Sequence, residues 1–393
     1  MAVGGGRQPA DRGGPERHPD RRGAERQGSA VTSLAPAVLK FGGSTFASPA
    51  AYGELADALS ARLGREGRPL AVVVSAMPGE TERLRGRLHA VAPHPADECA
   101  AGLLTLADTV SAHLLTAALR HLGRRATVLA GHQTGFTTAG SFMWARLDRV
   151  DPAPLRAAFA GHDVVVVPGG QAVDDLGRPT WLGKNSSDLS AVAAAVALGA
   201  DTCEIHSDVA GIHSCDPNRV TGTRLLDQVS FADAATMSRH GAKVLHDRSV
   251  RLAREHGVTI VCRRNTAPFT TGTVIGPEAA PAEAVVLNSR SVVLRYPDGA
   301  AADRAHDAFR SDGVAALRLD DRPGVAVIGG YVDHEACERR HGLAPGRVVG
   351  IPVTVLSGGH ATVHVAPDEA DAVRLAQNLH DRLPARTGRA LPV

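Results

Sequence analysis

Short apolar, β-branched runs at residues 37–41, 70–74, 126–130, 163–167, 202–206 and 258–262 alternate with longer Ala- and Leu-rich stretches at 49–63, 100–122, 189–198 and 247–256. The short runs predict strands buried on both faces, and the longer stretches predict helices. Strand and helix in alternation predict an α/β fold with a mostly parallel sheet covered on both sides, in which ligands sit beyond the carboxyl ends of the strands. Past residue 276 the grain is finer. Strand candidates at 292–296, 314–319, 325–328, 353–356 and 361–365 flank helical stretches at 301–310 and 368–383, predicting one or two small α+β modules after the main domain.

Composition narrows the function classes. A net charge of +2 and the lack of a basic stripe with interleaved aromatics argue against nucleic acid as partner, and apolar runs such as 191–200 are too short to span a bilayer. The five cysteines show no CxxC or Cys/His spacing, so they read as reduced thiols of a cytoplasmic protein rather than metal ligands. Residues 1–36, rich in Gly, Arg, Pro and Asp without an apolar segment, predict a disordered tail. Of 43 basic residues only Lys40, Lys184 and Lys243 are lysines. Where arginine supplies nearly all surface charge, the positions that keep a compact ammonium are candidates for chemistry.

Each of those lysines falls in a motif. Leu39-Lys40-Phe41-Gly42-Gly43-Ser44 is a strand running into a glycine turn and then a helix. Such a turn lets backbone approach a polyphosphate, offers free N–H groups, and sets Lys40 where a transferring phosphoryl group needs charge neutralised. Neither a P-loop nor a GxGxxG fingerprint is present. Lys184 lies in Gly183-Lys184-Asn185-Ser186-Ser187-Asp188, which opens an Ala-rich helix; Ser187 or Asp188 could equally be a plain helix cap. Lys243 lies in Ala242-Lys243-Val244-Leu245-His246, after a polar segment from Ser207 to Pro217.

In this order the motifs resemble the aspartate kinases of the amino acid kinase family, over residues 37–276. The counterparts are KFGGS at Lys40, VVSAM at Val73, PGG at Pro168, GKNSSD at Gly183, SDVAGIHSCDP at Ser207 and AKVLHDR at Ala242. The resemblance implies a three-layer sandwich followed by an ACT-like region over 284–393, and a homodimer paired through it. It implies that Lys40, Gly42, Gly43 and Ser44 hold phosphates and that Ser207, Asp208, His213 and Lys243 line the nucleotide site. Asp188, with Lys40 and Lys243, would organise charge around the transferring phosphoryl group. Thr81, Asp108, Lys184 and Ser187 would face a small amino-acid substrate, and ATP with Mg²⁺ would be required. The implied reaction is phosphorylation of a side-chain carboxylate to an acyl phosphate.

Departures from the family pattern cluster on the substrate side. Lys184 replaces an arginine, Asp108 a glutamate, Asn185-Ser186 a glycine pair and Gly170 a phenylalanine; His213 replaces an adenine-side tyrosine. An ammonium cannot reproduce the two parallel bonds of a guanidinium to a carboxylate. An altered, aspartate-like acceptor is therefore expected. The alternatives are a non-carboxylate acceptor oxygen, or a degenerate regulator that binds nucleotide or amino acid without turnover. His132, His206 and His246 are read without a catalytic role, Trp181 and Phe142 as packing residues, and Arg146 as structural.

Overall fold

The computed structural model describes residues 35–242, 245–329 and 333–384, so residues 1–34 of the expected tail lie outside it. The first strands in chain order are β1 Ala37–Phe41, β2 Leu70–Val74, β3 Ala126–Val128, β4 Phe136–Ala139, β5 Arg146–Val150 and β6 Val164–Pro168. They are followed by β7 Gln171–Val173, β8 Pro179–Trp181, β9 Thr202–Ser207, β10 Gln228–Ser230, β11 Thr259–Arg264 and β12 Thr271–Gly276. Helices α1 Ala50–Glu66, α2 Glu80–Val91, α3 Asp97–Leu104, α4 Leu106–His121, α5 Ala153–Ala158, α6 Ser187–Leu198, α7 Phe231–Arg239 and α8 Asp247–His256 lie between them.

The main sheet has the order β10-β12-β11-β9-β1-β2-β6-β3 and is parallel except where β12 returns against β11. Its central strands divide their side chains by the two-residue period. Leu39, Phe41, Leu70, Val72, Val74, Val164 and Val166 pack under α1 and α4 with Leu55, Leu59, Ala112, Leu115 and Leu119. Val38, Ala71, Val73, Val165 and Val167 face the opposite layer, where α6 supplies Ala191 to Ala195. Alanine at these positions lets α6 approach the sheet closely, and Gly199 in a left-handed conformation ends the helix. Two covered faces explain why the strands read as continuous apolar runs. A small second sheet, β5-β4-β7-β8, flanks the carboxyl end of β6.

After this domain come β13 Ala284–Leu287, β14 Val292–Arg295, β15 Ala316–Leu319, β16 Gly324–Val327, β17 Arg347–Ser357 and β18 His360–Ala366. Helices α9 Gly299–Ser311, α10 His334–Arg340 and α11 Glu369–His380 pack on them. The strands form one largely antiparallel sheet in the order β13-β17-β14-β16-β15, with β18 along β17, the ACT-like region anticipated from the resemblance.

Several elements depart from the expectations, among them α5, α7, α10, β10, β12 and β13, which were not anticipated. The single helix anticipated at 100–122 breaks at Thr105, whose hydroxyl bonds back to the carbonyls of Ala101 and Gly102. Helix α2 escaped notice because it is rich in Glu and Arg and buries only Leu84, so it carries almost no apolar period. The strands of the small sheet are three to five residues long, too short for alternation to show. The stretch Asp97–His121 is long and apolar enough by composition to cross a membrane. Here Ala101, Leu104, Ala107, Ala112, Leu115 and Leu119 are buried in the protein's own core, which accounts for that apolarity.

Candidate active site

The carboxyl ends of β1, β2, β6 and β9 lie side by side, Phe41 opposite both Val74 and His206, and Val74 opposite Pro168. The ladder continues beyond the strands: Ser75 N–H donates to Phe41 O at 3.1 Å, Gly169 N–H to Val74 O at 2.9 Å and Gly42 N–H to His206 O at 3.2 Å. Four loops are thereby held edge to edge, and most of the sequence-selected residues sit on them.

Lys40 Nζ stands 2.8 Å from Asp188 Oδ1, with side chains 12% and 9% exposed. Asp188 is in the first turn of α6, where a carboxylate is favoured by the helix dipole, and its Oδ2 accepts from His246 N–H at 3.3 Å. The ion pair therefore joins the phosphate-side turn, the start of α6 and the start of α8. Lys243, three residues before His246, lies outside the described residues. His246 is half-buried, and the loss of water around its ring, helped by Arg248, lowers its pKa to about 4, so it is neutral and serves through its backbone.

On one side of the pair lies the glycine turn. Gly43 begins a 3₁₀ turn, and a Cβ there would come 2.8 Å from Ala76 O, so only glycine allows β1 and β2 to meet this closely. Ser44 Oγ and Thr45 Oγ1 accept from Asn265 Nδ2 at 3.2 and 3.1 Å, while Asn265 N–H donates to Ser207 O at 2.8 Å. Asn265 thus ties the phosphate turn to the end of β9, a role the sequence reading missed. Its only signal was a polar run, Arg263-Arg264-Asn265, at the carboxyl end of a strand of the same sheet. Ser207 Oγ donates to Val209 O at 2.8 Å, and Asp208 is exposed at the site's rim. His213, half-buried and bridged to Leu225, keeps a buried Nδ1 without a partner among the described residues. Burial lowers its pKa.

On the other side, Ser75 Oγ donates to Ser187 Oγ at 2.9 Å and Ala76 N–H donates to Asp108 Oδ1 at 2.9 Å. Ser75 is a second residue the sequence reading passed over, although it stands inside the VVSAM motif. Asp108, in the first turn of α4, is buried, and that burial raises its pKa to about 7; the Ala76 N–H and the field of Lys40 oppose the shift. Thr81 is half-buried in the first turn of α2. Lys184 Nζ lies 3.5 Å from a carboxylate oxygen of Glu82. The Lys184 turn keeps its shape without the glycine pair: Gly183 and Asn185 have φ of 99° and 61°, and asparagine is among the few residues that tolerate this region. Ser186 is buried and its hydroxyl donates to Gly183 O at 2.5 Å, so neither new side chain blocks the turn.

Beneath the nucleotide side, His206 is buried and stacks on Phe41 with ring centroids 4.4 Å apart, while its Nε2 lies 3.2 Å from Glu204. Burial works to raise the Glu204 pKa, but Arg62 at 2.7 Å, His206 and Arg263 at 2.9 Å outweigh it and hold the carboxyl well below its usual range. This closed network supports the site from below. Trp181 packs with Leu84, Leu104 and Met143, Phe142 lies under the Arg178 guanidinium, and Arg146 is exposed on β5.

The arrangement is that of an α/β domain in which a glycine turn and a cluster of buried polar side chains meet at Lys40 and Asp188, beyond the carboxyl ends of the parallel strands. Residues 36–264 match the amino acid kinase family, and the chain belongs to that family. Its relatives there are aspartokinases. It is 35% identical over 296 residues to the aspartokinase of Mycobacterium tuberculosis, covering 75% of this chain and 66% of that protein. With the aspartokinase of Thermus thermophilus it shares 32% over 294 residues, 75% of this chain and 68% of the other. The match with the first of these relatives thus spans just under two thirds of its length. Among solved structures, Escherichia coli aspartokinase III in complex with aspartate and ADP superposes with a TM-score of 0.69 at 20% identity, over 88% of this chain and 99% of that one. Aspartate kinase from Synechocystis superposes at 0.53 with 27% identity, over 83% and 60% of the two chains.

Two outcomes follow. Asp188→Asn leaves the Lys40 charge largely buried without a counter-ion, which should cost about 3 kcal/mol in urea denaturation; a loss below about 0.5 kcal/mol, the usual range for surface changes, would contradict the pairing. Because the folded pKa of Asp108 is raised from 3.8 to about 7, the stability its bound proton contributes is present below the ordinary carboxylate range and lost as pH rises through about 7. Asp108→Asn should therefore gain stability relative to wild type between acidic and mildly alkaline pH, by at most about 4 kcal/mol. Parallel stability curves for the two proteins would rule out the raised pKa.

Proposed function

We propose that this chain is an ATP-dependent kinase that phosphorylates the side-chain carboxylate of aspartate or an aspartate-like amino acid, yielding an acyl phosphate. The observation that carries this reading is the Lys40–Asp188 pair, at the junction between the glycine turn after β1 and the buried polar groups Ser75, Ser187 and Asp108. The residues fit the nucleotide. Beside Gly42 stand the Lys40 ammonium and the Ser44 hydroxyl, both able to donate to phosphate oxygens, and the unpartnered His213 Nδ1 offers a polar contact on the nucleotide side. Asp208 is an exposed carboxylate suited to the Mg²⁺ that accompanies ATP. When bound, Mg²⁺·ATP supplies the phosphoryl group and part of the charge neutralisation.

In this reading Lys40, Gly42, Gly43 and Ser44 hold the phosphates, with Ser207, Asp208, His213 and Lys243 around the rest of the nucleotide. Lys40 sets its charge against the phosphoryl group as negative charge develops, and Asp188 fixes the ammonium in position. Lys243 joins them in neutralising charge. Asp108 receives the acceptor's ammonium group, whose charge draws the carboxyl to its ionised form. Thr81, Lys184 and Ser187 orient the acceptor, whose carboxylate attacks in line without a general base. The kinase domain is taken as residues 37–276 and the regulatory and dimerising region as 284–393, in a cytoplasmic protein whose five cysteines are all free thiols.

The acceptor is tested by incubating the protein with ATP, Mg²⁺, hydroxylamine and a panel of acidic amino acids. A hydroxamate with at least one of them is expected, and Lys184→Arg should shift preference toward aspartate. No hydroxamate across the panel would sink the carboxylate reading, and an unchanged preference would remove Lys184 from acceptor choice. The open outer edge of β18 supports a homodimer. Light scattering should give twice the mass of one chain, and a monomer mass at micromolar concentration would reject it.

A further inference from the structure

Outside the kinase site, one group of side chains brings three different metal-donor types together. Asp312 closes α9 as its C-cap. Cys337 and His341 are four residues apart, on α10 and at its C-cap, and so share one face of that helix. A carboxylate oxygen, the sulfur and a ring nitrogen all lie within 4.8 Å of one another, the one such group among the described residues. Asp312 Oδ1 is 3.0 Å from His341 Nε2, and Asp312 Oδ2 accepts from Arg340 at 2.8 Å. The sulfur is buried, the carboxylate half-buried and the imidazole exposed, so the group opens to solvent on one side.

A tetrahedral ion with bonds of about 2.3 Å to sulfur and about 2.0–2.1 Å to nitrogen or oxygen needs ligand atoms roughly 3.3–3.6 Å apart. The carboxylate and imidazole would have to part by only a few tenths of an ångström, and the exposed ring has room to turn. Arg340 engages Oδ2, which leaves Oδ1, beside His341, as the atom to ligate and holds the carboxylate in place, as outer partners of metal ligands do.

We propose that Asp312, Cys337 and His341 bind one zinc-class transition-metal ion, with water in the fourth position. The ion takes the place of the thiol proton and of the hydrogen bond between Asp312 and His341, whose Nε2 then carries no hydrogen. A thiolate ligand selects Zn²⁺ or Co²⁺ over the hard Mg²⁺ that accompanies ATP. The site has a mechanical link to the kinase domain. Gly313, next to Asp312, lies against Trp144, where an added Cβ would be 3.2 Å from the tryptophan Cβ. The Trp144 ring in turn rests on Gly183, where an added Cβ would be 2.8 Å away. An ion on Asp312 therefore sits two contacts from the Lys184 turn.

The test is Co²⁺ titration of the full-length protein, followed by absorption. Thiolate-to-cobalt charge transfer should appear and saturate at one equivalent, be displaced by Zn²⁺ and be unaffected by millimolar Mg²⁺. Cys337→Ser should abolish it. His341→Ala, a surface change that spares the fold, should weaken Co²⁺ binding by more than ~10-fold, the size of effect that even outer partners produce. Absence of the charge-transfer band, or its persistence at unchanged affinity in either variant, overturns the site and leaves the group as an ion-pair network. The readout needs no turnover, so it stands or falls separately from the kinase reading.

Discussion

The Lys40–Asp188 ion pair is the contact on which the rest of the site depends. Each partner is largely withdrawn from water, so each charge offsets the other's loss of hydration, and each belongs to a different layer of the sandwich: Lys40 to the central strand, Asp188 to the covering helix α6. Their attraction fixes where α6 begins relative to the end of β1. Through the His246 N–H on Asp188 it also fixes where α8 begins. In the proposed reaction a group that neutralises the phosphoryl transfer would need to be partly desolvated and held in place beforehand, and the pairing holds Lys40 in that way.

Around that pair the two halves of the site are built by different means. The nucleotide side is tied by cross-loop hydrogen bonds from Asn265 and propped by the Arg62–Glu204–Arg263 network, so its geometry is rigid and polar. On the proposed acceptor side, Asp108 sits close to the balance between its neutral and ionised forms. A buried carboxyl with no salt bridge among the described residues is well disposed to receive a cation from a ligand. The changed residues, Lys184, Asn185, Ser186 and Gly170, lie on this side, and the turn that carries three of them is held by the positive φ of Gly183 and Asn185 and by the Ser186 hydroxyl. That turn is intact, so the substitutions act on what it presents and not on whether it forms.

The C-terminal region is fastened to the same machinery. Ser214, in the loop after β9, lies 2.8 Å from the buried His380 of α11, and Thr221 N–H donates to Gln377 Oε1 at 2.9 Å. Trp144 makes a second junction, between Gly313 and Gly183. A displacement of α11 or of the end of α9 would thus be felt both at the loop after β9 and at the Lys184 turn.

Much of this was legible in the sequence. Continuous apolar runs announced strands buried on both faces, because a strand between two helical layers has no solvent side, and the alternation with Ala-rich helices announced a mostly parallel sheet. The scarcity of lysine singled out Lys40 and Lys184, since an arginine-rich chain keeps an ammonium where a compact charge is wanted. What the sequence could not reveal was pairing across long separations. That Asp188 is the partner of Lys40, that Asn265 holds Ser44, and that Ser75 meets Ser187 are consequences of which strand ends the sheet sets side by side. The same holds for Asp108: its residue type was visible, but its raised pKa comes from the helices that bury it. Composition and local period determine which segments become strands and helices; only packing decides which polar groups lose their water and which neighbour replaces it.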